Sequence, residues 1–171
     1  MPIIHGFAPI AGSHAKILIL GSMPGEASLT ANQYYAHQRN AFWPVMAPLL
    51  KIQADACYEE KIIALQASPI ALWDVLKSCK RIGSLDSNIE TDTRIINDFQ
   101  AFFSEYKQIN HVFFNGGTAE RYFKRYVLTK NNISLIKLFR LPSTSPANAR
   151  LSFDAKYKIW HEMINAALNN F

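Results

Sequence analysis

The chain contains little cysteine and no metal-ligand pattern, and both absences exclude classes of protein. Its only two cysteines, Cys57 and Cys79, lie far apart and outside any Cys-x-x-Cys motif. They cannot build a disulfide framework or an iron–sulfur site, so a reducing compartment is the simplest inference. The five histidines have no metal-ligand spacing, and we predict neither a metal nor a cofactor.

Long apolar runs are also absent. No run approaches the roughly 20 residues that span a membrane. Near the N-terminus, Pro9 and Gly12 interrupt the apolar residues, and the charged start of a signal peptide is missing. We therefore expect a soluble, cytoplasmic protein with no membrane partner. Without repeats or linkers, residues 1–171 are expected to form one domain, and no feature requires more than a monomer.

What the chain does contain is an ordinary apolar fraction and an excess of positive charge. Hydrophobic residues make up 49% of the sequence, which is typical of a globular protein. The formal net charge is +5. An excess of Lys and Arg favours an anionic partner, with nucleic acid the leading candidate. The alternative is a basic surface without a specific partner.

Short apolar runs alternate with helical patterns along the chain. Buried strands are predicted at residues 16–20, 70–73, 111–114 and 133–139. Helices are predicted at residues 43–50, 58–66, 94–106, 118–127 and after a cap at Ser152. This alternation predicts an α/β fold, a three-layer α/β/α sandwich with a central, mainly parallel four-stranded sheet. Ligands bind beyond the carboxyl ends of such strands, so the loops there should converge on one site.

The first of these loops, Gly21–Gly25, directly follows the first strand. It lacks the GK[ST] ending of a Walker A loop and the GxGxxG spacing of dinucleotide folds. Its two glycines permit close approach of the backbone to a ligand, and Pro24 stiffens the loop. The alternative is a plain strand-to-helix turn.

The segment 33–44 interleaves aromatic residues with a cation and an amide. That mixture suits a flat ligand such as a nucleobase, whose stacking on a ring contributes roughly 1–3 kcal/mol. Tyr35 is the better stacking candidate because it lies in the loop. Phe42 and Trp43 open the next helix and are expected in the core.

Residues 141–148 contain two prolines, three hydroxyls and an amide, and Arg140 and Arg150 flank them. Hydroxyls and free backbone N–H groups suit phosphate oxygens, although a surface turn has the same composition. Asn115, followed by two glycines ahead of a helix, fits either an anion site or a tight turn.

Charged residues cluster at and after the second strand. Asp74 ends that strand and is either a helix cap or an acceptor in the pocket. Lys77, Lys80 and Arg81 follow it and form a basic cluster that is either a solvated face or a face turned to DNA.

These segments together resemble the uracil-DNA glycosylase superfamily, and most closely its hypoxanthine-DNA glycosylase branch. The similarity begins at Gly6-Phe7, includes the Gly21–Gly25 loop and the segment 33–44, and resumes over residues 141–147. It covers most of the chain in the same order and spacing. It implies a four-stranded sheet between helices, in agreement with the alternation of strands and helices.

The resemblance also implies roles for individual residues. Met23 stands where mismatch-specific uracil enzymes have a catalytic Asn, and Leu141 replaces the His of classical uracil enzymes. Both departures argue against a uracil-type mechanism. In the hypoxanthine branch the catalytic Asn lies in the segment that here contains Asn40. Tyr35 matches the aromatic that stacks on the flipped base, and Asp74 matches a base-reading position.

We therefore expect a monofunctional DNA glycosylase that releases a deaminated base, above all hypoxanthine from deoxyinosine. Asn40 is the predicted catalytic residue. The predicted base pocket consists of Gly21, Ser22, Met23, Pro24, Gly25, Tyr35, Asp74 and Asn115. The predicted DNA contacts are Ser143, Thr144, Ser145, Asn148, Arg150, Arg39, Lys77 and Lys80. Residues near Asn148 and Arg150 are expected to fill the gap that the flipped nucleotide leaves in the duplex.

Two alternatives remain open at this point. The first is removal of uracil or thymine from mismatches, because a carboxylate at Asp74 suits the N–H groups of purines and pyrimidines alike. The second is a non-catalytic module that binds damaged DNA, because Met23 and Leu141 displace two familiar catalytic types.

No lysine lies in the motif loops to form a Schiff base, which predicts an abasic product without strand cleavage.

Overall fold

The computed structural model describes residues 2–130, 133 and 135–170. Its strands are β1 (Ile3–His5), β2 (Ile17–Gly21), β3 (Ile70–Asp74), β4 (Leu76–Lys80), β5 (Ile95–Ile96), β6 (His111–Asn115) and β7 (Lys137–Leu141). Its α-helices are α1 (Glu26–Ala31), α2 (Phe42–Leu50), α3 (Tyr58–Ala67), α4 (Phe99–Glu105), α5 (Gly117–Phe123) and α6 (Phe153–Leu168). Within these ranges no helix is long and apolar enough to cross a membrane.

Four strands form a parallel central sheet in the order β3-β2-β6-β7. Strand β2 is buried over its whole length because helices cover both faces of the sheet. Its side chains alternate between the two faces, with Ile17 and Ile19 packed toward α2, α3 and α6. Leu18 and Leu20 pack toward α4 and α5. The predicted three-layer α/β/α sandwich is therefore confirmed, and all four strands end at one edge.

A second, antiparallel sheet of order β1-β4-β5 was not predicted. Strand β4 mixes buried Leu76, Ser78 and Cys79 with two lysines, so no apolar run marks it. Strand β5 is only two residues long and pairs with β4 across a register shift. Both depend on pairing partners distant in the sequence, which local periodicity does not reveal.

Three predicted boundaries are corrected. The helix expected at residues 94–106 begins only at Phe99, because Ile95–Ile96 pairs with β4 and the Asp98 carboxylate caps the helix by accepting the Ala101 N–H at 3.0 Å. The strand expected at residues 133–139 is β7, which starts at Lys137; Ser134 lies outside the described residues. The helix expected at residues 118–127 turns π-helical after Phe123.

Candidate functional site

A large cavity opens at the carboxyl edge of the central sheet, where β2, β3, β6 and β7 end. Its volume is about 700 Å³, within the range of small-molecule sites. The loop after β2, the segment before α2, the end of β6 and the loop after β7 all contribute to its wall. The predicted convergence of the motif loops is thus confirmed.

Most of the residues proposed from sequence line this cavity. They are Gly21, Ser22, Met23, Pro24, Gly25, Tyr35, Arg39, Asn40, Asp74, Asn115, Ser143, Thr144, Ser145 and Asn148. Three predicted DNA contacts lie outside it. Lys77 and Lys80 belong to strand β4 of the second sheet, and Arg150 is exposed beyond the loop after β7.

Gly21 allows two polar side chains to meet at the floor of the cavity. A Cβ atom at this position would lie 2.3 Å from Oδ1 of Asp74 and 2.8 Å from the Tyr35 hydroxyl. No side chain fits in that space. Glycine is therefore required here by close approach, not by an unusual backbone angle.

Asp74 is 4% exposed, and its Oδ2 has no hydrogen-bond partner among the residues that the structure describes. Burial raises the pKa of this carboxyl to about 7, with a further contribution from the charge of Asp86, while Arg81 opposes the rise. Near neutral pH the group therefore populates both protonation states. In the neutral state it can donate a hydrogen bond to a ligand, and in the charged state it can only accept.

Tyr35 forms part of the cavity wall beside Asp74. Its backbone is left-handed, with φ of 54°, and its ring stacks on Phe42 at a centroid distance of 4.0 Å. The hydroxyl is buried and makes no hydrogen bond within the described chain. Burial and the nearby Asp74 raise the pKa of Tyr35, while the neighbouring Asn115 side chain lowers it less, so the hydroxyl keeps its proton and can donate it.

Asn40 is held in one orientation at the start of α2. Its side-chain Oδ1 accepts the Phe42 N–H at 3.0 Å, and its backbone N–H donates to the carbonyl of His37 at 2.9 Å. The Phe42 N–H needs an acceptor, so the oxygen of the Asn40 side chain must face it. The side-chain nitrogen of Asn40 is therefore the end left for other contacts. That nitrogen has no hydrogen-bond partner in the described part of the chain, and the side chain lines the cavity.

Asn115 and Thr144 tie the loop after β7 to the end of β6. The Asn115 amide donates to the Thr144 hydroxyl at 2.8 Å and accepts the Thr144 N–H at 2.9 Å. Thr144 is buried. Its hydroxyl therefore anchors the loop after β7, and its burial argues against the predicted contact between Thr144 and a phosphate.

The hydroxyls of Ser143 and Ser145 remain available on the same loop. Each accepts a backbone N–H two residues ahead at 3.2 Å, which leaves its own hydrogen for a ligand. The buried Lys156 amine donates to the carbonyl of Asn148 at 2.7 Å and fixes the far end of the loop. These contacts suit a rigid loop that presents donors to an anion.

One wall of the cavity was missed from sequence. Asp86, in the turn after β4, accepts the Ser22 hydroxyl on both carboxylate oxygens at 2.8 Å. Burial raises the pKa of Asp86, while the Ser22 hydrogen bond and Arg81 lower it. The only signal in the sequence was one acid in a polar turn, which is typical of any exposed turn.

Arg81 is the second residue that was misinterpreted. It is buried, and its guanidinium donates to the carbonyls of Gly83 and Pro24. The prediction of a solvated or DNA-facing position is therefore wrong for this residue. Arg81 instead joins the turn after β4 to the loop after β2 and partly balances the negative charges of Asp74 and Asp86.

Fold and site together define an α/β/α sandwich with a ligand cavity whose wall includes aromatic rings, the buried carboxyl of Asp74 and the free amide of Asn40. The sequence model of the uracil DNA glycosylase superfamily matches residues 9–164. The chain therefore belongs to this superfamily.

Individual relatives agree with that membership. The chain is 35% identical to a hypoxanthine DNA glycosylase of Methanosarcina acetivorans, over 88% of this chain and 91% of the relative. It is also 35% identical to a hypoxanthine DNA glycosylase of Methanosarcina barkeri, over 68% of this chain and 73% of the relative. A solution NMR structure from M. acetivorans, described as a candidate uracil DNA glycosylase, superposes with a TM-score of 0.75 and 31% identity, covering 95% of this chain and 99% of that one.

Proposed function

We propose that this protein removes hypoxanthine from deoxyinosine in DNA by hydrolysing the N-glycosidic bond, and that it leaves an abasic site. One observation supports this proposal above the others: Asn40 lines the cavity with its oxygen committed to the backbone and its amide N–H groups free. Two relatives that are 35% identical to this chain are named hypoxanthine DNA glycosylases.

The target base must leave the duplex to reach this cavity. Extrusion costs a few kcal/mol and is easier for a mispaired base such as inosine. The Tyr35 ring stacks on Phe42 and lines the cavity, so it is the candidate stacking surface for the flipped base. The free hydroxyls of Ser143 and Ser145 fit the phosphates that flank the flipped nucleotide.

The bond between C1′ and N9 then breaks, and the bonding electron pair leaves with the base. Water adds its oxygen to C1′, and its proton ends on the departing base. Donors fixed around the base lower this barrier, because negative charge develops there. Asn40, the Tyr35 hydroxyl and neutral Asp74 are the donors, and Asn40 is too weakly basic to take a proton from water.

The absence of a suitable amine supports a monofunctional reaction. None of the described residues that line the cavity is a lysine, so no amine is placed to form a Schiff base with C1′. Strand cleavage should therefore require alkali after the base has been released.

The test is single-turnover cleavage of labelled duplexes that contain one inosine, uracil or xanthine, developed with alkali. We expect release of hypoxanthine by the wild type. Asn40→Asp keeps the acceptor for Phe42 but removes the N–H donor, and it should lose this release while binding the duplex. Gln38→Ala, a change at a neighbouring residue outside the cavity wall, is the matched control.

Removal of uracil or thymine from mismatches is the second candidate, because the superposed NMR structure is described as a candidate uracil enzyme. Release of uracil with inert inosine would favour it and contradict the hypoxanthine proposal. Binding without release of any base would contradict both enzymatic functions and favour a binding module.

A further inference from the structure

Asp86 gives the cavity a second carboxyl, and the reaction as described so far leaves it without a role. It lies in the turn after β4 and lines the cavity together with Asp74, the last residue of β3. Hydrolysis at C1′ needs a group that takes a proton from the attacking water. Asn40 is too weakly basic for this step, and neutral Asp74 acts as a donor to the base. Among the described residues that line the cavity, Asp86 and His37 are the other groups able to take a proton near neutral pH.

The turn that carries Asp86 is fixed by hydrogen bonds. The Glu90 N–H donates to the carbonyl of Lys80 at 3.0 Å and closes the turn at its base. Asp86 itself opens a short 3₁₀ helix, and its carbonyl accepts the Ile89 N–H at 3.2 Å. The carboxylate is therefore held in place before any substrate arrives, as a precise catalytic position requires.

The carboxylate of Asp86 keeps room for a further hydrogen bond. The Ser22 hydroxyl lies 2.8 Å from each of its two oxygens. That hydroxyl has a single hydrogen, whereas an ionised carboxylate has about four acceptor sites, so a water molecule can still donate to it. Asp86 forms no salt bridge with any residue that the structure describes, so an ion pair does not consume its basicity.

The surroundings of the two carboxyls suit opposite roles. Burial raises the pKa of Asp86, while the hydrogen bond from Ser22 and the charges of Arg81 and Arg121 lower it. Oδ2 of Asp74 has no hydrogen-bond partner in the described part of the chain, and the charge of Asp86 raises the pKa of Asp74 further. Neighbouring carboxyls in such different environments can act as acid and base at one pH. The other titratable groups that interact with the charge of Asp86 have raised pKa values and are neutral at pH 7: Tyr35, Cys79 and Tyr122.

His37 is the competing group, and its hydrogen bonding argues against it. Its Nδ1 accepts the Arg39 N–H at 3.1 Å, and its side chain lies at the exposed side of the cavity. A neutral imidazole has one acceptor nitrogen and one N–H. Because Nδ1 is already used as the acceptor, Nε2 has the hydrogen and offers no lone pair to a water proton.

We propose that Asp86 is the general base of base release and that Ser22 positions its carboxylate. This inference rests on the proposed function, because it requires a base that leaves C1′. As the bond between C1′ and N9 breaks, the water oxygen bonds to C1′ and one of its protons moves to the Asp86 carboxylate. The bonding electron pair leaves with the base. The base then receives the proton from Asp86, and the carboxylate is regenerated.

The experiment measures single-turnover release from an inosine duplex between about pH 4.5 and pH 9. Asp86→Asn keeps the size of the side chain and an acceptor for Ser22, but it cannot take a proton. We expect it to slow release by about 10²–10⁴-fold, the usual contribution of a general base, and to bind the duplex like wild type. The wild-type rate should rise with pH on the acid side as Asp86 ionises, and Asp86→Asn should lose this rise. Ser22→Ala should slow release less and keep the rise, and Asp92→Asn, the loss of an exposed acid in the next turn, should match wild type.

Wild-type rates for Asp86→Asn would overturn the inference. A slow Asp86→Asn that keeps the rise with pH would also overturn it, because another group would then titrate, and loss of the rise in His37→Gln would identify that group. Slow release that disappears at saturating enzyme would assign Asp86 to DNA binding instead. A wild type that releases no base from any duplex contradicts the proposed function, and the inference fails with it. An active wild type with an equally active Asp86→Asn contradicts the inference alone.

Discussion

A single backbone N–H decides how the Asn40 amide faces the cavity. The Phe42 N–H lies at the start of α2 and would be unsatisfied without Oδ1 of Asn40. The side chain therefore has two separable roles, as an acceptor for the helix and as a donor for a ligand. The two roles predict different behaviour for two substitutions.

Asn40→Ala removes both roles, whereas Asn40→Asp removes only the donor. We expect Asn40→Ala to lower the free energy of unfolding by about 1 kcal/mol, the usual loss when a backbone N–H loses its hydrogen-bond acceptor. Asn40→Asp should leave the free energy of unfolding unchanged within a few tenths of a kcal/mol. Base release should fall by about 10² or more in both, since that is the typical cost of removing one donor to developing charge. Urea unfolding and single-turnover assays measure the two effects. A normal rate in Asn40→Asp would contradict a donor role.

Asp74 makes stability depend on pH in an unusual direction. Its folded pKa of about 7 lies above the ordinary 3.8, so ionising it costs more in the folded chain than in the unfolded one. The contribution of Asp74 to the free energy of unfolding is thus most favourable below about pH 4 and declines as the pH rises to about 7. Asp74→Asn should stabilise the protein relative to wild type at pH 8, on the order of 2–4 kcal/mol, and much less at pH 5.

Urea unfolding of wild type and Asp74→Asn between pH 5 and pH 8.5 measures this difference. The exposed Asp92→Asn controls for the change in net charge. Parallel curves for wild type and Asp74→Asn would contradict the raised pKa. If neutral Asp74 donates to the base, the wild-type release rate should also fall as the pH rises through about 7.

At the scale of elements, the strands with continuous apolar runs were predictable and those without them were not. Strands β2, β3 and β6 are short apolar segments buried on both faces, so composition alone indicates them. Strand β4 mixes lysines with buried residues without a regular alternation, and β5 is too short to have a pattern. The loops after predicted strands were therefore found, and the cavity wall at Asp86, which follows β4, was missed.

The glycines of the loop after β2 also differ in a way that only the structure reveals. A Cβ at Gly21 would meet the Asp74 carboxylate at 2.3 Å, whereas at Gly25 the nearest atom is the Ser84 hydroxyl at 3.3 Å. We expect Gly21→Ala to destabilise the protein by about 1–3 kcal/mol, as overpacking does, and to abolish base release. Gly25→Ala should be tolerated in both assays. Equal effects of the two substitutions would contradict the close approach at Gly21.

At the scale of the whole molecule, the positive charge is unevenly placed. Four basic side chains, Arg121, Lys124, Arg125 and Arg140, line a groove along α5 together with a single acid, Glu120. Glu120 pairs with Lys124 at 2.7 Å and with Arg140. The groove therefore has a surplus of positive charge that is a large part of the formal net charge of +5.

This groove adjoins the loop that offers hydroxyls to phosphates. A Cβ atom added at Gly116 would lie 3.0 Å from the Cβ of Ser143, so the two residues are in close contact. A Cβ atom added at Gly117 would lie 3.3 Å from the Arg140 guanidinium. A duplex held at the cavity would thus pass near the groove. A protein that neutralises phosphates releases counterions, so its affinity for DNA falls with salt more steeply when more phosphates are neutralised.

We expect Lys124→Gln/Arg125→Gln to weaken binding of undamaged duplex and to reduce the slope of log K against log salt by about 1 for each phosphate that is no longer neutralised. Lys107→Gln/Lys137→Gln removes the same charge from the opposite edge of the sheet, where β6 and β7 begin, and should leave that slope close to wild type. Fluorescence anisotropy from low to physiological salt measures both. Equal slopes for the two double variants would mean that net charge alone, and not its position along α5, attracts the DNA. Unequal slopes with unchanged single-turnover release would separate the groove, which holds the backbone, from the cavity, which acts on the base.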